Sequence, residues 1–228
     1  MILYTMEKIV VLCIGTVKIT RKVFYHDRDI DKIVVIPNVM EPKPRFEMKE
    51  FPKFKGLNLL VVARYDYPKG LDLLTEMIKK ISCMDNSTHV PFRIYLIGDE
   101  EIIGLTKGTE DYMKYLGKTC SPYAYMEAAD YLLLPSRWEG LPMAALESLS
   151  VGTKIIASRT ANLNDFADGE NIVTYELGDG HNFLQALDRA YLKKGNPVTF
   201  DMSRFSPAHV GKQMMGLYLR CTSNTKEI

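Results

Sequence analysis

Apolar runs alternate with helical patterns in this chain from Leu57 onward, and that alternation restricts the fold more than any other feature. The runs LNLLVVAR (57–64), FRIYLIG (92–98), YLLLP (131–135) and KIIAS (154–158) are rich in aliphatic residues, and NIVTY (171–175) is a weaker fifth. Several are apolar at successive positions, so both faces must be covered, as in a parallel sheet flanked by helices. Helical spacing fills the intervals at 70–82, 122–129, 142–150 and 181–193, and a last helix is expected over 207–220 behind Pro207. This order predicts βαβ units wound on both sides of an open, doubly wound sheet. Ligands of such sheets bind beyond the carboxyl ends of the strands. A site is therefore expected in the loops that begin at Ala63, Gly98, Gly117, Pro135 and Ser158.

The first 41 residues differ. Two strand-like runs, EKIVVLCIG (7–15) and DKIVVIPN (31–38), flank the charged stretch RKVFYHDRDID. The segment EPKPRFEMKEFPKFKG (41–56) is rich in proline and charge and reads as a linker. The expected organisation is a strand-helix-strand-like appendage over 1–41, a linker over 42–56 and an α/β domain over 57–228. The closing TSNTKEI is expected to fray.

Composition excludes several function classes. The 228 residues are 46% hydrophobic and carry a net charge of +1, so there is no global basic field for nucleic acid, and any anion site must be local. Cys13, Cys83, Cys120 and Cys221 form no CxxC pair, which suggests neither a zinc site nor a disulfide framework. No stretch approaches the roughly 18 uninterrupted apolar residues of a spanning helix. A cytoplasmic protein is expected, with peripheral attachment at a membrane as an alternative. The four histidines are dispersed, and no GxxxxGK[ST], GxSxG or HExxH motif occurs.

Two segments carry candidate chemistry. In ARYDYPKGLDLL (63–74) a strand ends near Arg64 and a helix begins near Gly70, with Lys69 in the turn. Two cations beside the partial positive charge of a helix N-terminus suit a diphosphate; they equally suit a solvated polar turn. In PSRWEGLPMAALESLSVG (135–152), Glu139 falls in a turn, and Glu147 lies eight residues later, within an otherwise apolar helix. A carboxylate on such a face needs partners. Sugar hydroxyls can supply them, as can a neighbouring cation or solvent. Gly140 permits close approach of backbone to a ligand, so the amides of Gly140, Leu141 and Met143 could face sugar or phosphate oxygens. Trp138 reads as a packing residue. Gly98, in LIGDEE, closes a strand without a GxGxxG fingerprint.

Together these segments resemble the C-terminal domain of the retaining GT-B glycosyltransferases of family 4, also called glycosyl transferases group 1. The likeness rests on R-x4-KG at 64–70 and PS-x2-EG-x6-E at 135–147, in that order, supported by IPN (36–38), YLGK (115–118), EAADYLLLPS (127–136) and VGTKIIAS (151–158). It implies a single Rossmann-like GT-B half. It implies that Arg64 and Lys69 bind the donor diphosphate and stabilise the leaving group, and that Glu139 contacts the transferred sugar. It implies that Glu147 holds ribose hydroxyls, that Gly140, Leu141 and Met143 cradle sugar or phosphate, and that the Gly98 and Gly117 loops border base and ribose. The resemblance further implies transfer with retention from a UDP-, GDP- or ADP-sugar, without metal or other cofactor.

The chain departs from that pattern in three places. About 40 residues stand where a full enzyme has its acceptor domain, PNVM replaces the usual PNG, and SRTAN replaces a glycine pair. Three readings stand open. One is a donor domain completed by a separate acceptor-binding subunit. The second is a short enzyme completed by a homodimer or acting on a membrane-held acceptor. The third is a nucleotide-sugar-binding module without transfer. A dinucleotide oxidoreductase is disfavoured, since its glycine fingerprint and ribose acid are missing.

Overall fold

The computed structural model describes residues 9–11, 33–40, 51–161, 163 and 170–224. The charged stretch 21–31 and linker residues 41–50 lie outside them. By contacts the chain divides into two compact units, one of Lys43–Asn162 and Phe166–Phe200, the other of Met1–Pro42, Leu163–Asp165 and Asp201–Ile228. The sequence-based division into 1–41, 42–56 and 57–228 is retained as a proposal; the contact grouping puts the last helix with the N-terminal residues instead.

The larger unit is a six-stranded parallel sheet. Its strands are β3 (Leu57–Ala63), β4 (Phe92–Gly98), β5 (Met113–Gly117), β6 (Tyr131–Leu134), β7 (Lys154–Ser158) and β8 (Ile172–Tyr175). They lie side by side in the order β5-β4-β3-β6-β7-β8. Around them stand α1 (Leu71–Ser82), α2 (Tyr123–Ala128), α3 (Met143–Ser150) and α4 (Gly180–Leu192). Central strands β6 and β7 are buried at every position, which is why their sequences show no alternation.

One face of the sheet carries the main core. Leu57, Leu59 and Val61 of β3 pack with Ile94, Leu96, Leu133 and Ile156 under α1 and α4. Helix α1 presents Leu71, Leu74, Met77, Ile78 and Ile81 to this core, a helical stripe. Asp72 in its first turn and Lys79 and Lys80 in its last complement the helix dipole. Helix α4 is capped by Asp179, which accepts from the Asn182 N–H at 3.0 Å. On the other face α3 packs against β7 and α2 against α3.

Strand β5 was not among the pattern-based candidates; only YLGK in the family resemblance pointed to it. It is an edge strand with one buried residue, Met113, so its signal is weak. The five helix expectations meet helices whose ends differ by no more than a residue or two, apart from the last, which runs on to Asn224.

The smaller unit holds a parallel pair, β1 (Ile9–Val11) and β2 (Ile33–Val35), in register Ile9 with Ile33. Its helix α5 (Pro207–Asn224) buries Val210 and Leu217 with Ile36, and the Met40 N–H donates to the Phe205 carbonyl. Among the described residues no helix is long and apolar enough to cross a membrane.

Candidate functional site

The chain leaves β3 toward β4 on one side and, after β5, returns through α2 to β6 on the other. Strands β3 and β6 are therefore neighbours, with Leu59 opposite Tyr131 and Leu60 opposite Leu132, and their carboxyl-end loops part in opposite directions. Such a reversal is where open α/β sheets bind ligands. A cleft of about 230 Å³ lies there, lined by Val61–Ala63, Lys69, Leu133–Ser136, Glu139 and Leu141–Ala144. A larger hollow of about 370 Å³, bordered by Phe54, His89, Phe92 and Tyr112, opens at the other end of the strands, away from the switch point.

Two loops are locked together to make the cleft. Gly70 sits at φ 64°, and a Cβ there would lie 2.0 Å from the Pro135 carbonyl oxygen; only glycine permits that approach. The Arg137 N–H donates to the Pro68 carbonyl at 2.8 Å. The Arg137 guanidinium donates to the Tyr67 carbonyl at 2.7 Å and to both Asp72 oxygens, at 2.7 and 2.6 Å. Those bonds hold the Asp72 carboxyl below its ordinary pKa and push Arg137 up. Buried Ser136 ties the loop to β7, its carbonyl accepting from the Ser158 and Thr160 hydroxyls.

Within this frame Lys69 meets Glu139. The lysine Nζ lies 2.9 and 3.0 Å from the two carboxylate oxygens, and the Ser136 hydroxyl donates to Oε1 at 2.6 Å. The Glu139 side chain is only 9% exposed. An ammonium and a carboxylate thus stand fixed at one wall, and α3 opens at another with Met143 and Ala144. A helix N-terminus adds partial positive charge there. The cleft therefore offers one ammonium, the positive end of a helix and a hydroxyl acceptor.

Of the residues singled out from the sequence, Lys69, Glu139, Leu141 and Met143 line this cleft. Gly140 is exposed between them, with open space where a Cβ would stand. Arg64 follows the last residue of β3, its side chain 78% exposed and 3.9 Å from Asp66; it is not among the lining residues. Glu147 lies on α3, half-buried, and burial raises its carboxyl pKa. Its backbone carbonyl accepts from the Ser150 hydroxyl, and among the described residues its carboxylate has no hydrogen bond or ion pair. Gly98 ends β4 against Ala63, where a Cβ would lie 1.9 Å from the Ala63 carbonyl oxygen, and Gly117 ends β5. Neither is among the residues that line the cleft.

Sequence reading missed Arg137, Asp72 and Ser136. Arg137 had one available signal, its place inside the PSRWEG turn. Nothing local pairs it with Asp72, 65 positions away. Trp138, read as a packing residue, is 49% exposed and packs edge-to-face with Tyr67 at 5.7 Å between ring centroids.

The same fold appears in known proteins. Residues 56–192 match the family described as glycosyl transferases group 1. The chain belongs to that family. It is 30% identical over 125 residues to a glycogen synthase of Elusimicrobium minutum, covering 52% of this chain and 25% of that protein. Its fold superposes on the apo form of the lipopolysaccharide outer core galactosyltransferase WaaB with a TM-score of 0.69 at 18% identity, over 94% of this chain and 62% of that one. Anabaena Alr3699/HepE in complex with UDP gives 0.69 at 14% identity, over 94% and 64%. The family and these likenesses bear out the doubly wound GT-B half. The chain spans 36%, 25% and 34% of three curated relatives that it matches.

Proposed function

We propose that this group 1 glycosyltransferase chain is a donor-sugar half that binds a nucleoside-diphosphate sugar and passes the sugar, with retention and without metal, to an acceptor. The observation that carries the reading is the Lys69–Glu139 pair, fixed in the cleft at the switch point. Lys69 would neutralise charge developing on the departing diphosphate, the kind of preorganised electrostatic help that dominates many catalytic effects. Glu139, with lone pairs left beyond Lys69 and Ser136, would accept from hydroxyls of the transferred sugar. Glu147 would take the ribose hydroxyls, with Gly98 and Gly117 bordering base and ribose. The UDP held by the similarly folded HepE supports a nucleotide donor. The acceptor site would come from a separate subunit, a second copy or a membrane-held acceptor.

A second reading, binding without transfer, is favoured by one observation. Arg64, the other cation assigned to the leaving group, faces solvent beside Asp66. Melting the full chain with UDP, GDP, ADP and their sugar derivatives tests both. A specific nucleotide at 100 times its Kd stabilises the fold by about 2.7 kcal/mol. No shift with any of them sinks both readings. Turnover of the sugar nucleotide then separates a transferase from a binder.

A further inference from the structure

Beside the cleft stand two large aromatic rings that the donor-binding reading does not use. Tyr67 is 65% exposed and Trp138 49%. Neither is loose. Tyr67 lies in the short helical turn that delivers Lys69, and Trp138 precedes Glu139. The Arg137 guanidinium lies 4.0 Å from the Tyr67 ring centroid, pinned there by Asp72 and the Tyr67 carbonyl. The rings are edge-to-face, at 61°. A rigid, solvent-facing aromatic pair loses little conformational freedom when a ligand covers it.

We propose that Tyr67 and Trp138 form a platform for a pyranose ring, and that the chain thereby supplies part of its own saccharide acceptor subsite. The proposal rests on the glycosyltransferase reading above. Pyranoses present an apolar C–H face ringed by hydroxyls. An exposed aromatic face suits the first, and polar groups at its rim suit the second. The polar group at the pair is the Arg137 guanidinium, 4.0 Å from the Tyr67 ring centroid, and Glu139 is the chain neighbour of Trp138. The crossed pair is not a parallel slot, so it does not offer the two-sided sandwich that suits a flat nucleobase. Each ring is adjacent to, or two residues from, the Lys69–Glu139 pair, which puts a stacked sugar at the edge of the transfer site.

Trp138 is the only tryptophan of the chain, so the emission of the unmodified full-length protein reports on the platform. The experiment titrates it with maltotriose and with the methyl α-glycosides of glucose, galactose and mannose, with and without the nucleotide that best stabilises the fold. Uridine is the control for base stacking. The expected result is a saturable emission change with at least one saccharide. Affinity should fall about tenfold or more in Tyr67→Ala, the loss usual for an aromatic anchor, and hold in Tyr67→Phe. A nucleotide-dependent rise in melting temperature should persist in both variants, which shows that they fold. No saccharide response, undiminished affinity in Tyr67→Ala, or a response to uridine alone would overturn the platform. A chain that no nucleotide stabilises would instead overturn the donor reading, and the titration without nucleotide still decides the platform.

Discussion

Lys69 and Glu139 stand 70 positions apart and share two hydrogen bonds. Removing one should expose the dependence of the other. Lys69→Ala leaves a mostly buried carboxylate with Ser136 alone, and should destabilise the ligand-free chain by about 1–3 kcal/mol. Lys69→Ala with Glu139→Ala should fall short of the sum of the single effects by about 0.5–3 kcal/mol in urea unfolding. Additive effects would mean that the pair is not formed in solution. Glu147 behaves in the opposite sense. Its raised pKa reflects burial of an unaided carboxylate, so the charged form is the disfavoured one. The penalty is absent below the unfolded carboxylate's pKa and grows as the pH rises through the raised value. Glu147→Gln should therefore stabilise the ligand-free chain at neutral pH, match it in acid, and weaken nucleotide-dependent stabilisation. A melting series from acid to neutral pH with and without nucleotide shows all three.

The cleft depends on how the turn before α1 meets the turn before α3. Two glycines make the contrast. Gly70 lies in the left-handed region against the Pro135 carbonyl, so Gly70→Ala should cost about 1–3 kcal/mol from backbone strain alone and disturb the loop pairing. At Gly140 an added Cβ meets nothing within 4 Å, and Gly140→Ala should change ligand-free stability by no more than about 0.5 kcal/mol. If the backbone there approaches the donor, the same change lowers nucleotide affinity. Denaturation midpoints and nucleotide titrations of the two variants separate a structural glycine from one kept for ligand approach. Helix positions were legible because 3.6-residue spacing survives in the sequence. The edge strand β5 was faint because a half-exposed strand carries little apolar signal.

Nucleotide binding should act on part of the molecule. Hydrogen exchange of the full chain with the stabilising nucleotide should slow amides at 65–72 and 136–147, around the cleft. Amides of α5, which groups with the other compact unit, should exchange as before. Uniform protection, or protection confined to α5, would contradict the placement of the site. Sequence by itself determined the βαβ alternation, the helix extents and the two segments in which Lys69 and Glu139 lie. Periodicity records which faces an element buries, and turn chemistry records where elements end. Neither records which strands become neighbours. The order β5-β4-β3-β6-β7-β8 brought Lys69 onto Glu139 and Arg137 onto Asp72, left Arg64 in solvent, and set Trp138 against Tyr67 on the rim. Those outcomes belong to tertiary structure, because a side chain's partner is set by where two distant loops close, and local sequence does not encode that closure.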